Sequence, residues 1–226
     1  MEFSTIFARL GFGFVITLKL FGLTLVFALP LGLIISFGLR SKFKPISWFC
    51  NTFVWIIRGS PLLLQLLLFR SLPKLLGTTT KKLSLVLDCK VSDVLFLIAL
   101  VAFVINYACY FSVIFKGALN SIPKGQYEAG KVLGLKKGQI FSNIVFFQLI
   151  KRTLSPISNE TITLVKDTAL ASSCGVLEMY ARASDIVQGF VSFVPFIGAA
   201  FFYLVFNGLL TLLFGYIEKK MSFYKE

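Results

Sequence analysis

Apolar residues run through this chain in long blocks, separated by short polar clusters. The first block extends from Gly11 to Leu39 with Lys19 as its one charge, and from Leu20 onward it holds twenty uncharged residues. Twenty helical residues rise about 30 Å, the thickness of a bilayer's hydrocarbon core. The block ends in Arg40-Ser41-Lys42-Phe43-Lys44, a stop-transfer pattern and not a small-residue cleavage site, so it reads as an uncleaved span over about 12–39. A second stretch, Ile46 to Leu76, is too long for one crossing and is broken at Arg58-Gly59-Ser60-Pro61. That break predicts an interfacial helix, a turn, and a shorter span over about 61–76. Residues 77–92 are polar and read as a loop, and a third span covers about 93–115. After a long basic stretch, 116–152, comes a fourth span over about 154–180. It is unusually polar, with Asn159, Glu160, Lys166, Asp167 and Glu178 in or beside it. A fifth span, about 192–217, ends in Glu218-Lys219-Lys220. The pattern predicts an all-α membrane protein: five transmembrane helices in a single domain, 1–226, with its termini on opposite sides.

Composition closes the alternatives. The chain of 226 residues is 57% apolar and only 15% charged, with 26 Phe and a mean hydropathy of +0.84. A soluble fold would expose large apolar patches, and a disordered chain needs low hydrophobicity. The net charge is +13, and thirteen of the 23 cations fall in the segment 40–45, the 116–152 loop and the C-terminal tail. Seven lie in the segments on the other side. Cytoplasmic loops carry the excess of Lys and Arg, which predicts the N-terminus outside and the C-terminus inside. The charge therefore reads as topology and contact with a lipid surface, not as nucleic-acid binding.

Several chemistries lack their residues. There is no His, which excludes His-based acid–base catalysis and His metal sites. Cys50, Cys89, Cys109 and Cys174 show no CxxC spacing and read as structural thiols. No GxxxxGK[ST] stretch is present, so if ATP drives this protein, another subunit binds it.

The most informative segment is the basic loop, Ser121-Ile-Pro-Lys-Gly-Gln-Tyr-Glu-Ala-Gly-Lys-Val-Leu-Gly134. Glu128 sits early in a short predicted helix, favourably placed for the positive end of the helix dipole, and Gly134 stands where that helix would stop. A second amphipathic segment, about 137–152, leads into the fourth span. On its residues alone the short helix is either a docking knob or a solvated connector lying on anionic headgroups.

Here the residues resemble a family. Glu128-Ala129-Gly130, Leu133-Gly134, Phe141, Ile144, Pro156, Asn159, Ile162 and Leu164-Val165-Lys166-Asp167-Thr168 are similar to the EAA loop of ABC importer permeases. Arg58-Gly59-Ser60-Pro61-Leu62-Leu63 and Ser121-Ile-Pro-Lys-Gly-Gln126 are similar to its polar amino-acid uptake group. The resemblance runs from about Phe14 to Ile217. It departs at Gly130 and Phe147, where the family commonly has Ala and Pro, and at Val113 and Lys116, where it usually has Glu and Arg.

The resemblance implies a type I ABC importer permease fold in a bacterial cytoplasmic (inner) membrane. It implies as partners a second permease subunit (the same or different), two cytoplasmic ATPases and an external amino-acid-binding protein. This chain would be a transport subunit and not an enzyme. It would bind no cofactor of its own, with ATP and Mg held on the ATPases. Gly125, Glu128, Ala129, Gly130, Leu133 and Gly134 would form the ATPase-coupling surface. Polar groups inside spans mark transport paths, and Asn106, Lys166, Asp167 and Thr168 are the path candidates, with Gln65, Asn159, Glu160 and Glu178 beside them. Their structural alternatives stay open: Asn106 as an interhelical hydrogen-bonding group, Lys166 and Asp167 at a subunit interface, and Glu178–Arg182 as an i,i+4 ion pair. Arg58, with Gly59, Ser60 and Pro61, reads as the anchor of the broken second helix. An ion-gradient transporter would carry paired broken helices, and one obvious break is found. A lipid-modifying enzyme would need a clustered nucleophile, base or metal set, and a passive channel would need no docking loop.

Overall fold

The computed structural model describes residues 3–190 and 192–221, and every element among them is helical. Lys225, the third cation of the C-terminal tail, lies outside the described residues. The first element, α1, is Phe3–Leu39, so the helix begins well before the predicted span. It is followed by α2, Lys44–Gly59, and α3, Leu62–Leu75, which meet at an angle of 105°. The break has the expected cause: Pro61 withholds an N–H, and Ser60 and Pro61 both adopt extended backbone. With fourteen residues α3 rises about 21 Å, short of the hydrocarbon core, so the stretch 61–76 does not make a full-length crossing by itself.

The segment 77–92, expected to be a loop, holds a further short helix, α4, Thr80–Val86. Thr79 starts it by accepting the N–H of Lys82, a capping signal hidden in a run of three threonines. The central helix α5, Val91–Ser121, is the most deeply buried of the long apolar helices. The basic loop folds as α6, Lys124–Val132, and α7, Lys137–Ile140. One π-helical turn, Phe141–Val145, then joins α7 without a break to α8, Phe146–Asp167. The expected fourth span ends sooner than its apolar pattern suggested. Past α8 a 3₁₀ segment, Thr168–Cys174, closes on Gly175 at φ +84°, and Tyr180 belongs to the next helix, α9, Met179–Phe190. The last helix is α10, Val194–Met221.

Among the described residues three helices, α1, α5 and α10, are long and apolar enough to cross a membrane, and the bent α2–α3 pair passes the same criterion jointly. The core forms where α1, α3, α5 and α8 converge, with Leu20, Leu66, Phe103, Phe111, Leu164 and Val165 fully enclosed. The most extensive contact, between α1 and α5, depends on Gly32: a Cβ there would meet Phe111 Cβ at 2.8 Å and the Ala108 carbonyl at 2.9 Å. The outer surface is apolar. Trp48, Phe49 and Trp55 stand exposed on α2, and Phe201, Leu204 and Leu212 on α10. Such a surface suits lipid.

Candidate functional site

A polar cavity opens at the α2–α3 bend. It has a volume of about 430 Å³, and α2, α3, α5 and α8 with the following 3₁₀ segment contribute its walls. From the bend come Arg58, Gly59, Ser60, Pro61 and Leu62; from α5, Asn106, Tyr107 and Tyr110; from the α8 side, Glu160, Thr163, Asp167 and Leu170. The α8 set is a consequence of helical spacing. Positions 160, 163 and 167 are three and seven apart and share one face, which the neighbouring Lys166 does not.

Hydrogen bonds fix the walls. Asn106 Nδ2 donates to Gln65 Oε1 at 3.0 Å. The Gln65 amide in turn donates to the carbonyls of Ile57 at 2.7 Å and Ser60 at 3.1 Å, and to Ser60 Oγ at 2.8 Å. One side chain of α3 thereby satisfies carbonyls that the end of α2 would leave bare. Across the cavity Tyr107 OH donates to Asp167 Oδ2 at 2.7 Å. The Arg58 guanidinium lies 5.0 Å above the Tyr110 ring, a cation–π contact. The cavity thus presents one guanidinium, two carboxylates and two phenol rings within a largely apolar bundle. Opposite charges on separate helices can hold both ends of a zwitterion.

The structure brings together two of the four sequence-predicted path residues, with Glu160 beside them. Asn106 and Asp167 line the cavity, and so do Arg58, Gly59, Ser60 and Pro61, read from the sequence as an anchor. Lys166 is exposed away from it, and Thr168 is fully buried with its hydroxyl turned back to the Val165 carbonyl at 2.6 Å. Glu178 does not pair with Arg182. Its carboxylate caps α9, accepting the N–H groups of Tyr180 and Ala181 at 2.7 Å each and the Tyr203 hydroxyl at 3.3 Å, while Arg182 Nε donates to the Leu177 carbonyl. Val113 packs with Leu39, Val54 and Cys109, so the position where a carboxylate is usual in the resembled family is apolar ground here. Tyr107, Tyr110 and Thr163 were missed. For Tyr110 and Thr163 the signal was a helical face shared with Asn106 and Glu160, but tyrosines in an apolar run read as core, and Tyr107, adjacent to Asn106, gave no such signal.

The second polar region is the loop. Gly125, Glu128, Ala129, Leu133 and Gly134 are all exposed, with Val132 and Leu133 showing 88% and 75% of their surface. Gly130 is the exception. It is buried against Ile140, and a Cβ there would meet Ile140 Cγ1 at 2.8 Å, a local reason for Gly where the resembled family has Ala. Gly134, at φ +74°, ends α6 as expected. Its N–H bonds the Lys131 carbonyl, and the next N–H, of Leu135, bonds that of Gly130. The knob is tied down behind. Ile122, Ile140, Val145 and Leu149 are continuous with the main core, the Phe37 and Phe141 rings meet at 5.7 Å, and Arg152 donates to Ser121 Oγ.

The profile of a family described as "Binding-protein-dependent transport system inner membrane component" matches residues 28–223. The L-cystine transport system permease protein TcyB of Bacillus subtilis (strain 168) is 33% identical over 214 residues, covering 94% of this chain and 86% of that protein. The arginine transport system permease protein ArtQ of the same organism is 30% identical over 227 residues, covering 98% of both chains. Among solved structures, one described as an amino acid ABC transporter with histidines superposes with a TM-score of 0.81 at 25% identity, covering 97% of this chain and 99% of that one. The MetNI methionine ABC transporter in an inward-facing form shares the fold, with a TM-score of 0.70 at 16% identity over 98% of this chain and 99% of that one.

Proposed function

Because the chain belongs to the binding-protein-dependent transport system inner membrane components, and its relatives are permeases of amino-acid transporters, we propose that it is one permease of an ATP-driven type I importer for polar amino acids. Two permeases, identical or different, pair in the bacterial inner membrane with two ATPases, which hold the ATP and Mg. An external binding protein delivers the substrate. In this reading α1, the bent α2–α3 pair, α5, α8 and α10 make five crossings with the N-terminus outside. α8 crosses despite its charges because Glu160 and Asp167 face the cavity.

One observation carries the reading. The exposed knob of α6 follows α5 after a two-residue turn, packs on α7 where Gly130 meets Ile140 and, through α7 and the π turn, is continuous with α8; α5 and α8 are the two helices that wall the cavity. Seating Glu128, Ala129 and Leu133 in an ATPase cleft therefore moves the walls of the substrate path. In the cavity Arg58 takes the carboxylate of the passing amino acid, and Glu160 and Asp167 take its ammonium.

The test uses membrane vesicles holding the complete transporter. Uptake of a labelled amino acid should require both ATP and the loaded binding protein. Scrambling residues 121–136 should release the ATPase on purification and abolish uptake. Uptake that follows an imposed ion gradient without ATP would replace this reading with an ion-coupled carrier.

A further inference from the structure

A second cleft, of about 690 Å³, lies at the opposite end of α5 from the α6 knob, between α1, α5 and the turn into α9. Its depth follows from the charge pattern. α1 is uncharged from Leu20 to Leu39 and α5 from Val94 to Phe115, lengths of about 30 Å that match the hydrocarbon core. Lys19 and Asp93, both lining the cleft, therefore sit at one boundary, and Arg40 and Lys116 at the other. From that boundary the cleft runs inward along Leu23 and Leu100, about 6 Å and 10 Å deeper by helical rise, with Leu97 beside them.

Two cations stand at its mouth. Lys19 Nζ lies 5.2 Å over the Phe96 ring, which is itself part of the wall. Arg182 is held by its Nε bond to the Leu177 carbonyl at 3.2 Å and by the close approach of α9 to α1 at Gly13, where a Cβ would meet Arg182 Cδ at 2.9 Å. The one acid in the lining, Asp93, accepts the backbone N–H of Lys90 at the start of α5. The result is a net-positive polar mouth at headgroup level above an apolar channel directed at the bilayer centre. A soluble anion has no use for such a channel, and a neutral lipid none for the paired cations.

We propose that this cleft is a binding site for an anionic phospholipid. Its phosphate lies between Lys19 and Arg182, and its acyl chain runs along Leu23, Leu97 and Leu100. The proposal rests on the membrane placement of α1 and α5, not on ATP coupling, so lipid binding is measured without transport. The purified transporter complex in neutral detergent is titrated with dioleoyl phosphatidylglycerol and with dioleoyl phosphatidylcholine, and retained lipid is read by native mass spectrometry. Phosphatidylglycerol should be retained about tenfold more tightly, in keeping with two basic groups at a charged surface. That preference should vanish in Lys19→Gln/Arg182→Gln and persist in Lys19→Arg. Leu97→Trp should weaken both lipids by obstructing the channel. Should the double variant fail to assemble, Lys19→Gln alone decides, because it leaves the Arg182–Leu177 bond intact; it should lose at least half of the preference on a logarithmic scale. Equal retention of the two lipids in the unaltered protein would overturn the proposal. So would a preference indifferent to Lys19→Gln, or displacement of the lipid by millimolar glycerol phosphate, which would mean a site for free anions.

Discussion

The α6 knob and the cavity at the α2–α3 bend are both polar regions in a bundle of apolar helices, yet they are built in opposite senses. At the knob one continuous stretch of eleven positions, 124–134, turns Glu128, Ala129 and Leu133 outward and keeps Tyr127 and Gly130 against the core. In the cavity the side chains come from separate elements more than a hundred positions apart, Arg58 at one extreme and Asp167 at the other, and all face inward. A surface for a protein partner can be written locally, because the partner supplies the other half. A compartment that encloses a small solute has to be assembled by the fold. The first kind tolerates changes that keep the helix and punishes changes of charge; the second is sensitive to the partners of each group.

The largest effect is expected at the knob. Glu128→Lys should cost about 2 kcal/mol or more in seating on the ATPase, as for a reversed charge at a protein interface, and reduce uptake to background with the protein still in the membrane. Normal uptake by that variant would remove α6 from the coupling surface. In the cavity, Asp167→Asn keeps an acceptor for Tyr107 while removing the charge. Half-saturating substrate for uptake should rise about tenfold, the scale of one charge-assisted hydrogen bond, and an unmoved value would take Asp167 out of the substrate path. Asp167→Ala instead strips Tyr107 of its acceptor and should destabilise the protein by about 1–3 kcal/mol in a thermal melt. Most of this should return in Asp167→Ala/Tyr107→Phe, and failure to return would mean that the hydrogen bond is not what is lost. Back at the knob, Gly130→Ala should cost about 1 kcal/mol of stability through its overlap with Ile140. Adding Ile140→Val makes room and should recover it; a Gly130→Ala protein as stable as the original would show that Ile140 yields freely. The smallest change is expected for Lys166→Gln, within about 0.5 kcal/mol in stability, with uptake little altered, since its side chain is exposed away from the cavity.

The same contrast explains what the sequence disclosed. The knob's place and its stop at Gly134 were legible, because a helix-ending glycine is a local signal and survives folding, but Glu128, read as lying early in the helix, is the fifth of its nine residues, and the first turn of α6 holds no acid. The break at Gly59-Ser60-Pro61 was legible for the same reason. Asn106 and Asp167 announced themselves as polar groups among apolar neighbours, but Lys166 and Thr168 came with them without lining the cavity, because adjacent residues on a helix point about 100° apart and hydropathy does not record direction. Tyr107 and Tyr110 were concealed in the opposite way, as aromatic residues in an apolar block. Glu178 gave no capping signal because Ser, Thr, Asp and Asn are the usual N-caps, and its spacing to Arg182 offered a simpler pairing. Gly175 was the missed stop: the apolar pattern ran on to Tyr180, while the backbone turned at a left-handed glycine.

Gln65 deserves a mechanical reading. Its amide closes the open end of α2 and, through its oxygen, clasps Asn106 on α5, so a single side chain latches three helices at the floor of the cavity. The elbow between α2 and α3 therefore does not bend by degrees. For it to swing relative to α5, Gln65 must let go either of Ile57 and Ser60 or of Asn106, so the elbow rests in one latched position until a whole set of these bonds is given up together.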